Sequence, residues 1–405
     1  MDGVIVIVCD VQFNERDYTR FGVSEYEAQG FRVLVADCSG FLLQEMNSQY
    51  RQPGFIEEAR YLVRPASHEA FQRCIEPFNN EKVKAAVFMA GAYPEADMLR
   101  VVAREIGFSI LEIRLNLLPE NPLPGRPLPE YGPSEIPKLT YLQHNYHALR
   151  SIASLLLQSL RRKSRSEEAA DEPFLPEMII CGGSEAEICR NAEKSVRVVK
   201  AHAMDYDHYL RQRPTVTEDS IVFLDEYLPF HPDYLNGGIK SVKPEEYYGH
   251  LRILFDKLED QMGSEVLVAA HPRSNPDVTR KWLGGRKVVG NSTLQLVAKS
   301  KLVVGHSSTS FNFAVLLYKP ILPVFTEDMN IQDRKRTAVL ANHLNVLPLN
   351  LSSPDFFRKR FEDLPTVDKN AYDAYKGRFI KQAGSPNKTI ATIIGEALRN
   401  KDSDG

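Results

Sequence analysis

The stretch Ser300–Leu322, SKLVVGHSSTSFNFAVLLYKPIL, decides how this chain is read. Leu302–Val304 is a short apolar β-branched run, as a strand buried on both faces requires. Gly305-His306-Ser307-Ser308-Thr309-Ser310 breaks it, Phe311–Leu317 has helical character, and Lys319-Pro320 leads into another apolar run, Ile321–Phe325. Strand, turn, helix, strand is the repeating unit of a parallel sheet. The turn carries the chemistry. Small hydroxyl residues ahead of a helix offer free backbone N–H groups, hydroxyl donors and the positive end of the dipole, all suited to a phosphate. One serine there would be an ordinary N-cap. A run of six small or polar residues after a buried strand predicts binding by Gly305, His306, Ser307, Ser308, Thr309 and Ser310.

The same alternation extends outward in both directions. Upstream, Val4–Cys9, Phe31–Ala36, Val83–Met89 and Phe108–Ile113 are strand-like, with helical Ser24–Gln29, Ser67–Glu76 and Glu95–Ile106 between them. Nearer the centre, Ile221–Leu224 and Glu265–Ala270 are strands around a helix at Pro244–Met262. A chain of 405 residues exceeds one ordinary core. Two consecutive α/β domains are predicted: 1–175, with an alternative boundary near 215, and 176–385, followed by a C-terminal helix and tail at 386–405. Met178–Cys181, Gly182-Gly183-Ser184 and Ser195–Val199 fit either the end of the first sheet or the start of the second. Pro119–Lys138 is proline-rich and predicts an extended connection. Leu139–Arg162 reads as an amphipathic surface helix whose basic end, Arg161-Arg162-Lys163, also suits a membrane surface; Ser164–Glu172 reads as a linker.

Composition narrows the class. With 43% hydrophobic and 25% charged residues the chain has enough apolar material for two cores. A net charge of -3 gives no general attraction to nucleic acid. Five scattered cysteines (Cys9, Cys38, Cys74, Cys181, Cys189) contain no CxxC pair, so a reducing, cytoplasmic compartment is expected. The first apolar run is short and ends in an acid, unlike a signal peptide.

Further candidate residues sit at other strand ends. In VLVAAHPRSNP, Val266–Pro276, His271 can donate to a phosphate or protonate a leaving group, and Arg273 can clamp a phosphate with two bonds. In IVFLDEYLPFHPDY, Ile221–Tyr234, Asp225, Glu226 and Asp233 supply carboxylates able to deprotonate a hydroxyl, or to pair with an arginine instead. After the first strand, Asp10, Arg16, Asp17 and Arg20 could meet an acidic substrate or form structural pairs among themselves. Asp205-Tyr206-Asp207 superficially resembles a metal-binding D-x-D, but no other acids converge on it in sequence, and no metal is expected. There is no G-x-G-x-x-G, P-loop, G-x-S-x-G or H-E-x-x-H.

The order acidic pair (Asp225-Glu226), His-Pro (His271-Pro272), Ser-Ser/Thr (Ser307-Ser308-Thr309) resembles the motif series of bacterial GT-B sialyltransferases and Kdo transferases, over roughly Ser220–Phe325. The wider SKLVVGHSS…KPIL pattern is similar to GT-B C-terminal domains generally, CDP-glycerol glycerophosphotransferases included. One departure is plain: the family's acidic motif ends in Gly, and here Tyr227 follows. The resemblance implies an α/β GT-B fold, two Rossmann-like domains facing a central cleft. It implies a metal-independent glycosyltransferase moving Kdo or another sialic-type 3-deoxy-ulosonic acid from a CMP donor to a bacterial surface polysaccharide or lipopolysaccharide acceptor. Catalytic work would fall to Asp225, Glu226, Asp233 and His271. The resemblance gives donor phosphate contact to His271 and the Ser cluster; from their own places in the chain, Arg273, the rest of the 305–310 run, Gly183 and Ser184 are expected at the donor, and Asp10, Arg16, Asp17 and Arg20 at the acceptor. No cofactor, metal or nucleic acid is expected, and a lipid-linked acceptor would suit a peripheral contact with the inner membrane. Alternatives are a UDP- or GDP-sugar donor, a CDP-glycerol-type donor, a sugar-nucleotide 2-epimerase, and a non-catalytic glycan-binding scaffold.

Overall fold

The computed structural model describes residues 3–42, 54–91, 94–126, 128, 175–188, 196–231, 234, 241–361 and 363–401. Asp233, the basic helix expected at 139–162 and the linker expected at 164–172 lie outside them.

Two sheets organise the described chain, and every strand pairing within them is parallel. The first contains β1 (Gly3–Cys9), β2 (Phe31–Asp37), β3 (Leu62–Val63), β4 (Lys84–Phe88), β5 (Ser109–Arg114), β6 (Met178–Cys181) and β7 (Arg197–Lys200), in the order β3-β2-β1-β4-β5-β6-β7. The second contains β8 (Ser220–Leu224), β9 (Val266–Ala269), β10 (Val288–Val289), β11 (Ser300–Gly305), β12 (Ile321–Phe325) and β13 (Leu349–Asn350), in the order β10-β9-β8-β11-β12-β13. Each sheet starts in its middle, builds to one side, then crosses back to the other. This is the doubly wound, Rossmann-like arrangement, and the expected α/β class is met. The central strands β1, β8 and β12 are buried along their whole length, as helices on both faces demand.

The sheets correct the expected division at 175. β6 pairs with β5 and β7 with β6, so that cut falls inside the first sheet. The sheets part between Lys200 and Ser220, across the helix Met204–Gln212. The sequence left this open because a short apolar strand followed by Gly-Gly-Ser fits the end of one sheet as well as the start of another.

The chain then returns. The helix Ile390–Lys401 packs on the first sheet, with Ile390, Ile393, Ile394 and Leu398 in one core with Ile5, Ile7 and Val35. Asp207 holds its start, accepting from the Ile390 N–H at 2.8 Å, and Arg211 bridges Asp207 and Glu25. A second core joins Val222, Leu224, Val303, Phe311 and Ile321 to Tyr372, Tyr375 and Phe379. The described part of the proline-rich connection runs beside the helix Ile331–Leu344. Proline cannot enter a ladder, so Asn342 serves this segment from its side chain, accepting from Leu123 N–H and donating to the Arg126 carbonyl. Among the described residues no helix is long and apolar enough to cross a membrane.

Candidate functional site

In an open doubly wound sheet ligands bind beyond the carboxyl ends of the strands, where the winding reverses. In the second sheet that point lies between β8 and β11, with β9 beside β8. The acidic pair ends β8, His271 and Arg273 follow β9, and the 305–310 run ends β11. All three segments therefore stand on neighbouring strand ends.

Contact between the first and third is direct. The Glu226 carboxylate accepts the Ser307 N–H at 2.7 Å. Burial pushes the Glu226 carboxyl up to about 7; the Ser307 N–H acts against this, and the negative charges of Asp333 and Asp225 add to it. Glu226 keeps partial access to water, whereas Asp225 is only 4% exposed. Asp225 accepts from Tyr227 N–H at 2.9 Å and from the Thr279 hydroxyl at 3.5 Å. Burial raises it to about 6 against both bonds. Of the two acids, Asp225 is committed to its own turn and to Thr279, and Glu226 to the backbone of the loop after β11.

Tyr227 gives the turn after the acidic pair a strained backbone. Its φ is 54°, in the left-handed region, which costs a side-chain-bearing residue about 1–2 kcal/mol. The Asp225 bond to its N–H and the Phe230 ring at 5.4 Å hold it there.

His271 is partly exposed, and its Nδ1 accepts the Arg273 N–H at 3.2 Å, which leaves the Nε2 position for a proton. Its ring lies 4.9 Å from that of His231, which stands 3.5 Å from the Arg273 guanidinium. His231 was missing from the site expected from sequence. The only signal for it was its place in the loop after the acidic pair.

Within the 305–310 run the structure separates roles. Ser308, Thr309 and Ser310 remain partly open, and the Ser308 hydroxyl accepts the Ser310 N–H at 3.2 Å. His306 does not fit the expected binding role through its side chain. It is fully buried, with Nδ1 2.6 Å from the Val324 carbonyl and Nε2 2.8 Å from the Tyr247 hydroxyl. A carbonyl only accepts, so Nδ1 carries the proton and Nε2 accepts from Tyr247. Burial pushes its pKa down to about 4, so the ring is neutral near pH 7. His306 fastens β11 to β12 and to the helix Pro244–Met262.

Gly183 and Ser184 also depart from expectation. A Cβ at Gly183 would lie 2.1 Å from the Arg378 carbonyl oxygen, so the glycine is required by close chain packing. The turn it opens meets the segment Lys376–Ile380, with Glu185 paired to Arg378 at 2.7 Å. Among the described residues neither one makes a hydrogen bond or ion pair to the ends of β8, β9 or β11.

The loop after β1 ends the first sheet at its own reversal point. Asp10 accepts from Gly91 N–H at 3.0 Å, tying β1 to the loop after β4. Asp17 is buried, and burial raises it although Arg16 and Arg20 work the other way. Arg16 is exposed to water, yet the surrounding protein lowers its pKa first, with Arg20 and Arg273 also lowering it and Asp17 and Asp205 raising it. The β1 loop of one sheet and the β9 loop of the other thus lie within electrostatic reach. Asp205 accepts from Asn312 Nδ2 at 2.9 Å, while Asp207 turns to Ile390 and Arg211. The two acids of the D-x-D therefore serve separate partners. Among the described residues no group of three or more His, Cys, Asp or Glu is placed to hold a metal.

No family model and no curated protein sequence matches the chain. Solved structures do. MurG of Acinetobacter baumannii is similar at 10% identity and a TM-score of 0.45, covering 98% of this chain and 99% of that one. A putative UDP-N-acetylglucosamine 2-epimerase of Listeria monocytogenes is similar at 10% identity and 0.48, over 100% and 98%. A variant of the wall teichoic acid polymerase TagF is similar at 13% identity and 0.49, over 100% and 89%. At such identities and scores these likenesses do not decide chemistry, and the site residues must.

Proposed function

We propose that this protein is a GT-B glycosyltransferase whose donor site lies at the ends of β8, β9 and β11. The observation that carries the reading is the Glu226–Ser307 contact, which sets a partly exposed, raised carboxyl against the loop that carries the run of hydroxyls and N–H groups. A phosphate cradle beside a base near neutrality is the pairing that glycosyl transfer from a sugar nucleotide needs. Ser308 and Thr309, with His271 and Arg273, hold the phosphate. Glu226 takes the proton of the acceptor hydroxyl as its oxygen attacks the anomeric carbon. The bond from that carbon to the phosphate oxygen breaks, and His271 Nε2–H stabilises the charge left on the phosphate. Asp225 positions the turn that aims Glu226.

For the donor we infer a CMP-linked ulosonic acid such as Kdo. The support is the motif order in this sequence and a single phosphate leaving group, which asks for less charge neutralisation than a diphosphate. A thermal-shift panel of CMP, CDP, UDP and GDP, with and without EDTA, tests it. The reading expects the largest stabilisation from CMP, unchanged by EDTA. A larger shift with UDP removes the ulosonic acid donor, and no shift with any nucleotide favours a glycan-binding scaffold.

A further inference from the structure

His231 follows the short helical turn Leu228–Phe230 and precedes Pro232 in sequence. A residue before proline is restricted to extended backbone, and His231 has φ −63° and ψ 124°. Beyond it, Tyr234 donates its N–H to the His231 carbonyl at 3.0 Å and its hydroxyl to Asp333 at 2.7 Å. The imidazole is thus carried on a stretch of chain held from both sides. It is partly exposed, with Nε2 3.5 Å from the Arg273 guanidinium and its ring 4.9 Å from that of His271.

A guanidinium has donors and no acceptor, so His231 Nε2 accepts and the ring proton sits on Nδ1. Arg273 also gives its backbone N–H to His271 Nδ1, which puts the proton of that ring on Nε2. One residue therefore sets opposite tautomers on two adjacent imidazoles. The chemistry of the contact is informative. A carboxylate in place of His231 would orient the arginine and cancel charge, whereas a neutral ring orients it and adds no negative charge of its own.

We propose that His231 is a positioning residue for the donor phosphate, holding the Arg273 guanidinium at the imidazole pair. The proposal rests on the donor reading above, which gives Arg273 and His271 the nucleotide phosphate. An arginine side chain loses rotamer freedom when it binds. Held in advance it loses less, so the phosphate binds more tightly. His231 acts through Arg273.

Two measurements on the full chain test this. Nitrogen-15 NMR of the imidazoles at pH 8, with no ligand present, reads the tautomers directly. His231 is expected with its proton on Nδ1 and His271 with its proton on Nε2, and R273M should release the His231 preference while leaving that of His271. A proton on His231 Nε2 in the parent would overturn the contact. Calorimetric titration with CMP and with cytidine then tests the role. H231F keeps a ring and loses the acceptor; it should weaken CMP by about three- to tenfold, the worth of one hydrogen bond, and leave cytidine within about twofold. H231Q reaches as far as Nε2 with an amide oxygen and should recover most of the CMP affinity. In an R273M background, H231F should cost CMP less than about twofold more, because the two residues act as one. Thermal unfolding confirms that the variants fold. Unchanged CMP affinity in H231F, equal losses for CMP and cytidine, or the same loss with and without Arg273 would each overturn the positioning role. No CMP binding by the parent removes the donor reading and the phosphate role with it, while the tautomers still decide whether His231 holds Arg273.

Discussion

Glu226 accepts a 2.7 Å hydrogen bond from the Ser307 N–H, joining the ends of β8 and β11 where the second sheet reverses its winding. The contact holds the carboxylate on the backbone of the loop after β11, where the His306 N–H acts on it in the same sense. It also makes the carboxyl's protonation depend on a loop that holds phosphate in the proposed mechanism.

Glu226→Gln should therefore lower turnover by about 10²–10⁴, the usual contribution of a positioned general base. Gln keeps an oxygen for Ser307, so nucleotide affinity should stay within a few-fold. In the parent enzyme kcat should rise with pH through about 7 as Glu226 loses its proton. A pH–rate profile of both proteins checks this, and turnover within tenfold of the parent would remove Glu226 from the reaction.

The same carboxyl sets a stability trend of known sign. Burial raises it from 4.5 to about 7, so between those values the native state binds more protons than the unfolded one. Stability then falls as pH rises across that window, and the full penalty persists above it. E226Q carries no such charge. It should be more stable than the parent at pH 8 by roughly 1–3 kcal/mol, with the gain disappearing near pH 4. Denaturant unfolding at the two pH values measures this; an equal difference at both would assign the effect to packing.

Tyr247→Phe removes the donor to His306 Nε2 inside a dry core. A buried acceptor left without its partner costs about 1–3 kcal/mol. Because His306 anchors the strand that leads into Ser307, a smaller loss of nucleotide affinity should accompany the loss of stability. Urea unfolding with CMP titration would show both, and a midpoint unchanged from the parent would contradict the buried bond.

Gly183→Ala separates packing from binding. A methyl 2.1 Å from the Arg378 carbonyl must push two chain segments apart, at about 1–3 kcal/mol. CMP affinity of the folded variant should stay within twofold. Normal stability with lost CMP affinity would return Gly183 to the donor site.

Much of this arrangement was legible before the structure. Apolar runs such as Val4–Cys9 and Leu302–Val304 mark buried parallel strands, and residues just beyond them are where such sheets hold ligands. The sequence could not give strand order. The acidic pair, His271 and the serine run are well separated along the chain, and only the crossing from β10 back to β11 makes β11 a neighbour of β8. Side-chain direction was hidden too. In His306-Ser307 the imidazole is wholly buried while the next residue's N–H is bound to Glu226, a division of roles that composition does not mark. Pairings such as Arg273 with His231, 42 positions apart, leave no local pattern to read.

The most direct measurement is a crystal structure of the protein grown with CMP. The account predicts the phosphate within hydrogen-bonding distance of His271 and of Ser308 or Thr309, with the Glu226 carboxylate beside it. CMP bound away from the ends of β8, β9 and β11, or Glu226 turned from the phosphate with its Ser307 bond broken, would contradict it.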